Sequence, residues 1–160
     1  TVHREFYVND YGNQVFLLGV AVLLRIKELL GQSIQFLDEE DGRDVYQLIE
    51  ANTLPKESYR GEYIKDIAKE YLADPTNQNY FHETLQKKDY DQLIHSLAGF
   101  AVHYNLERQK EDLKLFGVNF DRFFSEKSLH DSGNVELVPK ILNPDDLKMI
   151  DGKLHFLSTR

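Results

Sequence analysis

Val15 to Leu24 is a run of ten residues with no charged or polar side chain. A run of that kind must be buried, and what precedes it says how. Phe6-Tyr7-Val8 is a short aromatic and β-branched stretch, which favours a strand. Asn9-Asp10-Tyr11-Gly12-Asn13 is turn chemistry. Its Asn and Asp side chains suit the free N–H groups of a helix start, and Gly12 tolerates positive φ. The apolar pattern continues through Ile26, Leu29 and Leu30 to Gly31, where a left-handed cap is expected. The order is strand, tight turn, buried helix: half of a βαβ unit. A helix apolar nearly all round needs cover on more than one side.

The 160 residues are enough for one domain with a core, and 41% hydrophobic with 12% aromatic content argues against disorder. The net charge of -8 excludes a protein that grips nucleic acid along its whole length, so any RNA contact must be local. With no cysteine there is neither a disulfide nor thiolate chemistry. No apolar run reaches the roughly 18 residues of a membrane span, and no signal peptide is recognisable. The chain opens on Thr1 in a strand-like segment and closes on Leu157-Ser158-Thr159-Arg160 as another strand begins. Both ends are expected to be cuts in a longer polypeptide.

Ser33 to Asp44 reads as a solvated loop carrying Asp38-Glu39-Glu40-Asp41, without the ligand alternation of a calcium loop. Asp44 to Ala51 reads as a short helix ended by Pro55. Tyr59 to Leu72 places Ile64, Ile67, Ala68, Tyr71 and Leu72 at helical spacing, stopped by Asp74-Pro75. Asn79 to Lys87 is a further short helix. Gln92 to Phe116 is the longest, with Ala98, Val102, Leu106, Leu113 and Phe116 as its inner stripe and Gly117 as its cap. Val118 to Phe124 reads as a second buried strand. A helix opening at Ser132-Gly133 should turn Val135, Val138, Ile141 and Leu142 inward, and Pro139 should kink it or delay its start. Asn143-Pro144 starts another helical turn. Asp151-Gly152 predicts a two-residue hairpin.

Chemistry-bearing patterns are sparse. The six histidines form no close helical pair, so no metal site is expected and surface or structural roles are the plainer reading. There is no Gly-x-Ser-x-Gly and no Gly-rich phosphate loop. No catalytic residue is assigned. Glu126 stands just past a strand, at the end where α/β sheets place ligands, and a carboxylate there suits a guanidinium. On the residues alone, a solvated loop carboxylate is the plainer reading. Asp10 and Gln14 follow the first strand in the same way, with helix capping as their plainer reading. Lys65, Lys69, Lys87 and Lys88 are the candidate RNA contacts, against solvated helix faces.

Four blocks carry a family resemblance. Glu5-Phe-Tyr-Val-Asn-Asp-Tyr-Gly-Asn-Gln14 resembles the segment after the first ATP-binding helix of arginyl-tRNA synthetases, a class I family. Gly61-Glu-Tyr-Ile-Lys-Asp-Ile-Ala68 resembles their connective insertion. Lys110 to Asp121, then Phe124-Ser-Glu-Lys-Ser-Leu-His-Asp-Ser-Gly133, resembles the return strand and the loop after it. Asp151-Gly-Lys-Leu-His-Phe-Leu157 resembles the next hairpin. Their order and spacing point to a bacterial-type member.

The resemblance implies an α/β fold: part of a class I Rossmann-type catalytic domain, mostly helical by content, with a helical connective insertion and a C-terminal β-hairpin. The expected divisions are 1–32 (strand and helix of the Rossmann half), 33–116 (insertion) and 117–160 (return strand, helix and hairpin). It implies L-arginine, ATP, Mg²⁺ and an arginine-accepting tRNA as the parent's ligands, a monomeric parent, a cytoplasmic setting and no membrane. In that family a Glu in the Ser-Glu-x-Ser-like block pairs with the substrate guanidinium, and the matching position is Glu126. Asp10 and Gln14 would be active-site scaffold. The family's His-Ile-Gly-His-type and Lys-Met-Ser-Lys-type motifs are not among these residues. The segment is therefore expected to bind neither ATP nor Mg²⁺ and not to aminoacylate alone. A non-catalytic RNA- or protein-binding module built on the same insertion is the competing expectation.

Overall fold

The computed structural model of the chain describes residues 2–40 and 42–157. Asp41 of the acidic cluster and the expected strand start at Ser158-Thr159-Arg160 lie outside them. The chain divides into two compact units, one formed by 1–9 with 120–160 and the other by 10–119.

The larger unit is built around α1 (Asn13–Leu29), whose residues Leu17 to Lys27 are all buried. It packs against α5 (Tyr90–Leu115), α3 (Tyr63–Ala73) and β3 (Thr53–Leu54), as an all-round apolar helix requires. Gly19 lies against Ile94 and Ala98 of α5, where a Cβ would have no room. Gly31, at φ 91, ends α1: its N–H donates to the Glu28 carbonyl, and Gln32 N–H donates to the Lys27 carbonyl. The start of α1 differs from expectation. Gly12 is its N-cap, with no side-chain cap bond at that position.

Two short strands in this unit were not expected. β2 (Gln35–Phe36) pairs in parallel with β3, inside the stretch read as a loop. The Phe36 ring lies 5.1 Å from the Arg25 guanidinium and 5.9 Å from that of Arg60. Between these strands α2 (Val45–Glu50) opens on a capping box, with Asp44 and Gln47 bonded reciprocally. Asp74 ends α3 and caps α4 (Pro75–Gln86), which begins earlier than its apolar pattern suggested because Pro75 fits a first helical position.

The long helix is correctly bounded, but its inner face is not the one expected. Leu93, Ile94, Leu97, Ala98 and Ala101 are buried, all in its first half. Val102, Leu106 and Leu113 are half-buried, and Phe116 is 84% exposed, because α1 is too short to cover the second half of α5.

In the smaller unit β1 (Glu5–Val8) pairs in parallel with β4 (Arg122–Ser125), from Glu5↔Arg122 to Val8↔Ser125. Residues 10–119 thus form one long crossover, as parallel strands require. Alternation sorts the side chains. Phe6 and Phe123 share one face, with centroids 5.3 Å apart and Phe120 edge-on at 5.2 Å. Tyr7 stacks on Phe124 on the other face, where Arg122 also lies over Phe124. The second strand begins later than Val118. It runs into α6 (Glu126–Asp131), which was expected as loop, and Gly133 at φ 70 separates α6 from α7 (Asn134–Ile141).

Pro139 lies inside α7. It has no N–H to return to the Val135 carbonyl, so that bond of the helix is missing. The inward placement of Val135, Val138 and Ile141 does not hold: all three are exposed, Ile141 by 78%. A strand pair and a hairpin supply no layer to cover that face. After a 3-10 turn at Pro144–Asp146 capped by Asn143, β5 (Leu147–Ile150) and β6 (Lys153–Phe156) form the predicted hairpin. Asp151 and Gly152 have φ of 49° and 75°, as a two-residue primed turn needs.

Candidate functional site

Because β1 and β4 run parallel and in register, Val8 and Ser125 end the pair on the same side. Asn9 and Glu126 are the next residues out from those ends. Ser125 caps α6, its Oγ accepting the Ser128 N–H at 3.1 Å. The Ser128 hydroxyl donates back to the Ser125 carbonyl at 2.6 Å. Glu126 is therefore the first residue of a capped helix and not a loop carboxylate, so the solvated-loop reading is replaced by a fixed backbone position. Its side chain is half-buried, and a carboxylate in a first helical turn complements the helix dipole. Lys127, next along, pairs with Asp131 at 2.5 Å one turn further on.

Within the larger unit, half-buried Asp10 lies in the turn before α1, and Gln14 lies in its first turn. The Tyr59 hydroxyl donates to Gln14 Oε1 at 3.1 Å. A cleft of about 290 Å³ between Asn13, Leu17, Leu37, Val45 and Leu48 includes none of the residues singled out by sequence.

The four candidate RNA-binding lysines do not form a patch of free charge. Lys65 lies 3.2 Å from Glu28 and 3.3 Å from Glu62. Hydrogen bonds to Glu28 and then Glu62 hold its ammonium above the ordinary lysine value. Lys69 pairs with Asp66 at 3.2 Å. Lys88 pairs with Glu50 at 2.7 Å, and that bond raises its value too. Lys87 is the C-cap residue of α4.

Two charged residues inside the apolar helix were missed. Arg25 is 2% exposed; it donates to Glu28 Oε2 at 2.7 Å and to the Arg60 carbonyl at 2.9 Å. Lys27 donates to the Ile49 carbonyl at 2.7 Å, at the end of α2, and burial pushes its value down. Charges interrupting an otherwise apolar helix were the available signal. Glu28 takes Arg25 on one oxygen and Lys65 on the other. Burial raises the Glu28 carboxyl, but the bonds from Arg25 and Lys65 outweigh it and leave it below the ordinary 4.5. A carboxyl depressed on folding stabilises the fold above its unfolded value and loses that contribution as pH falls through the lower, folded one. Glu28→Gln is thus expected to lower the melting temperature at neutral pH. The gap to the native chain should close below the ordinary carboxylate range, as calorimetry across pH will show.

Among the described residues no three His, Cys, Asp or Glu side chains converge on a possible metal position. No helix there is long and apolar enough to cross a membrane.

The architecture is that of a mostly helical α/β chain whose long crossover joins two parallel strands. No family model matches it. It is 62% identical over 160 residues to the arginine–tRNA ligase of Leptospira biflexa, covering 100% of this chain and 27% of that protein. Identity to the Leptospira interrogans arginine–tRNA ligase is 45% over 159 residues, again 27% of its length. For the Desulfosudis oleivorans enzyme it is 36% over 160 residues and 24% of the length. A crystal structure described as an arginyl-tRNA synthetase from Campylobacter jejuni superposes with a TM-score of 0.60 at 28% identity, over 96% of this chain and 28% of that one. The chain is therefore homologous along its whole length to arginine–tRNA ligases, and it spans about a quarter of the length of the relatives it matches.

Proposed function

We propose that these residues form part of an arginine–tRNA ligase. The complete polypeptide would activate L-arginine with ATP and Mg²⁺, then esterify the 3′-terminal ribose of an arginine-accepting tRNA in the cytoplasm. The observation that carries this reading is the 62% identity running without interruption from one end of the chain to the other. In it the β1–β4 pair belongs to a Rossmann-type catalytic sheet and residues 33–116 are the connective insertion. Glu126 is the partner of the substrate guanidinium: a half-buried carboxylate beyond a parallel strand, on a helix start its neighbours hold in place, supports that role. Asp10 and Gln14 contribute scaffold after the companion strand. Lys65, Lys69 and Lys88 would reach tRNA only by exchanging carboxylate partners for phosphates, an exchange that salt opposes. Lys87, with no acidic partner among the described residues, is the one to engage first. No Mg²⁺ ligand is assigned within the described residues, where no three His, Cys, Asp or Glu side chains converge.

The test is amino-acid-dependent ATP–pyrophosphate exchange. The full-length protein should exchange with arginine and with none of the other standard amino acids. The 160-residue chain alone should give no exchange, because the groups that would position ATP's charge are not in it. Exchange driven by a different amino acid would end this reading.

A further inference from the structure

A carboxylate recognises a planar guanidinium well only if it is held within a fraction of an ångström of one position. Glu126 has no hydrogen bond or ion pair to another described side chain that would hold it there. Lys127, the nearest cation in sequence, is engaged by Asp131. The position of Glu126 therefore depends on the backbone that carries it. That backbone is the first turn of a six-residue helix, too short to be stable by itself, and first turns fray first. Two bonds oppose the fraying, and they straddle Glu126. Ser128 N–H donates to Ser125 Oγ, and Ser128 Oγ–H donates to the Ser125 carbonyl.

We propose that Ser125 and Ser128 are positioning residues for arginine recognition, each acting through Glu126 and not by touching substrate. This rests on the reading of Glu126 as the guanidinium partner. The pair does more than cap. One hydroxyl accepts and the other donates, so residues 125 and 128 are tied at both a donor and an acceptor, and the two residues between them, Glu126 and Lys127, have little freedom left in φ and ψ.

The experiment is steady-state kinetics on the full-length protein with Ser125→Ala, Ser128→Ala, Ser125→Thr and Glu126→Gln, each accompanied by a melting curve. Losing a cap bond should raise the arginine KM of Ser125→Ala by about five- to tenfold while the ATP KM stays within about twofold. Ser125→Thr, which still caps, should restore the native arginine KM. Ser128→Ala removes only the donated bond and should give a smaller rise of the same kind. It also covers the case in which Ser125→Ala does not fold. Equal rises for arginine and ATP, a lowered melting temperature with no change in arginine KM, or failure of threonine to rescue would overturn the proposal. If Glu126→Gln itself leaves the arginine KM unchanged, the guanidinium reading fails first. If Glu126→Gln raises it and neither serine variant does, only the positioning role is lost.

Discussion

Glu126→Gln in the full-length protein is expected to weaken arginine by about 2–4 kcal/mol, on the order of a hundredfold in KM, with ATP nearly unaffected. The substitution keeps the shape and length of the side chain and removes its charge. What is lost is a charge-assisted, two-point bond to a planar cation, and what remains is a guanidinium facing a neutral amide, one end of which donates where it should accept. Citrulline sharpens the measurement. It has the length of arginine but no charge, so the native enzyme should discriminate strongly against it as a competitive inhibitor. In the Gln variant that gap should narrow, because the charge it measured is gone. Glu126→Asp should fall between the two, since one methylene fewer withdraws the carboxylate without neutralising it. An unchanged arginine KM, or a loss shared equally with ATP, would remove Glu126 from the pocket.

How far could this be seen in the sequence? The strand, turn and helix at the start were legible because three signals agreed: β-branched and aromatic residues at 6–8, a Gly-containing turn, and a long uncharged run. The hairpin was legible because Asp151-Gly152 admits few other backbones. The β2–β3 pair was not, since strands of two residues are too short for alternation to register. The long helix was bounded correctly but its buried face was misjudged. Phe116 looks like a core residue by its spacing, and only the length of α1 decides that it lies beyond its reach. The exposed apolar face of α7 has the same origin: periodicity says which side of a helix is apolar, not whether anything covers it.

The site divides along the same line. Glu126 could be selected from its place after a strand, and the family resemblance gave it a role. Its position as the first residue of a helix could not be read, because α6 carries only Leu129 as an apolar marker. The Ser-x-x-Ser spacing of 125 and 128 was the missed signal, being the spacing over which an N-cap hydroxyl reaches the third N–H. Arg25 and Glu28 were masked in another way. A charge inside an apolar stretch reads as an interruption until the partners that satisfy it, here the Arg60 carbonyl 35 residues from Arg25 and Lys65 beside Glu28, are in place.

Gly19→Ala and Gly99→Ala are expected to change stability in opposite directions, although each replaces a helical glycine by the best helix former. Alanine gains about 0.8–1 kcal/mol over glycine in a helix interior. At Gly99, on α5, a new Cβ meets nothing within 4 Å, so that gain should be realised almost in full. At Gly19 the Cβ would lie 2.5 Å from the Ile94 carbonyl oxygen, 2.9 Å from Ile94 Cγ2 and 3.0 Å from Ala98 Cβ. The first of these cannot be relieved by a rotamer change. A backbone carbonyl inside α5 moves only if the helix moves, and α1 is buried on its other sides by α3 and β3. Overpacking of this kind costs about 1–3 kcal/mol and more when the backbone must yield. Gly19→Ala should therefore be destabilising by roughly 1–2 kcal/mol after its propensity gain, and Gly19→Val by more. Denaturant midpoints of the two alanine variants should thus fall on either side of the native value. Two alanine variants of equal stability would mean that α1 and α5 are not in contact through Gly19.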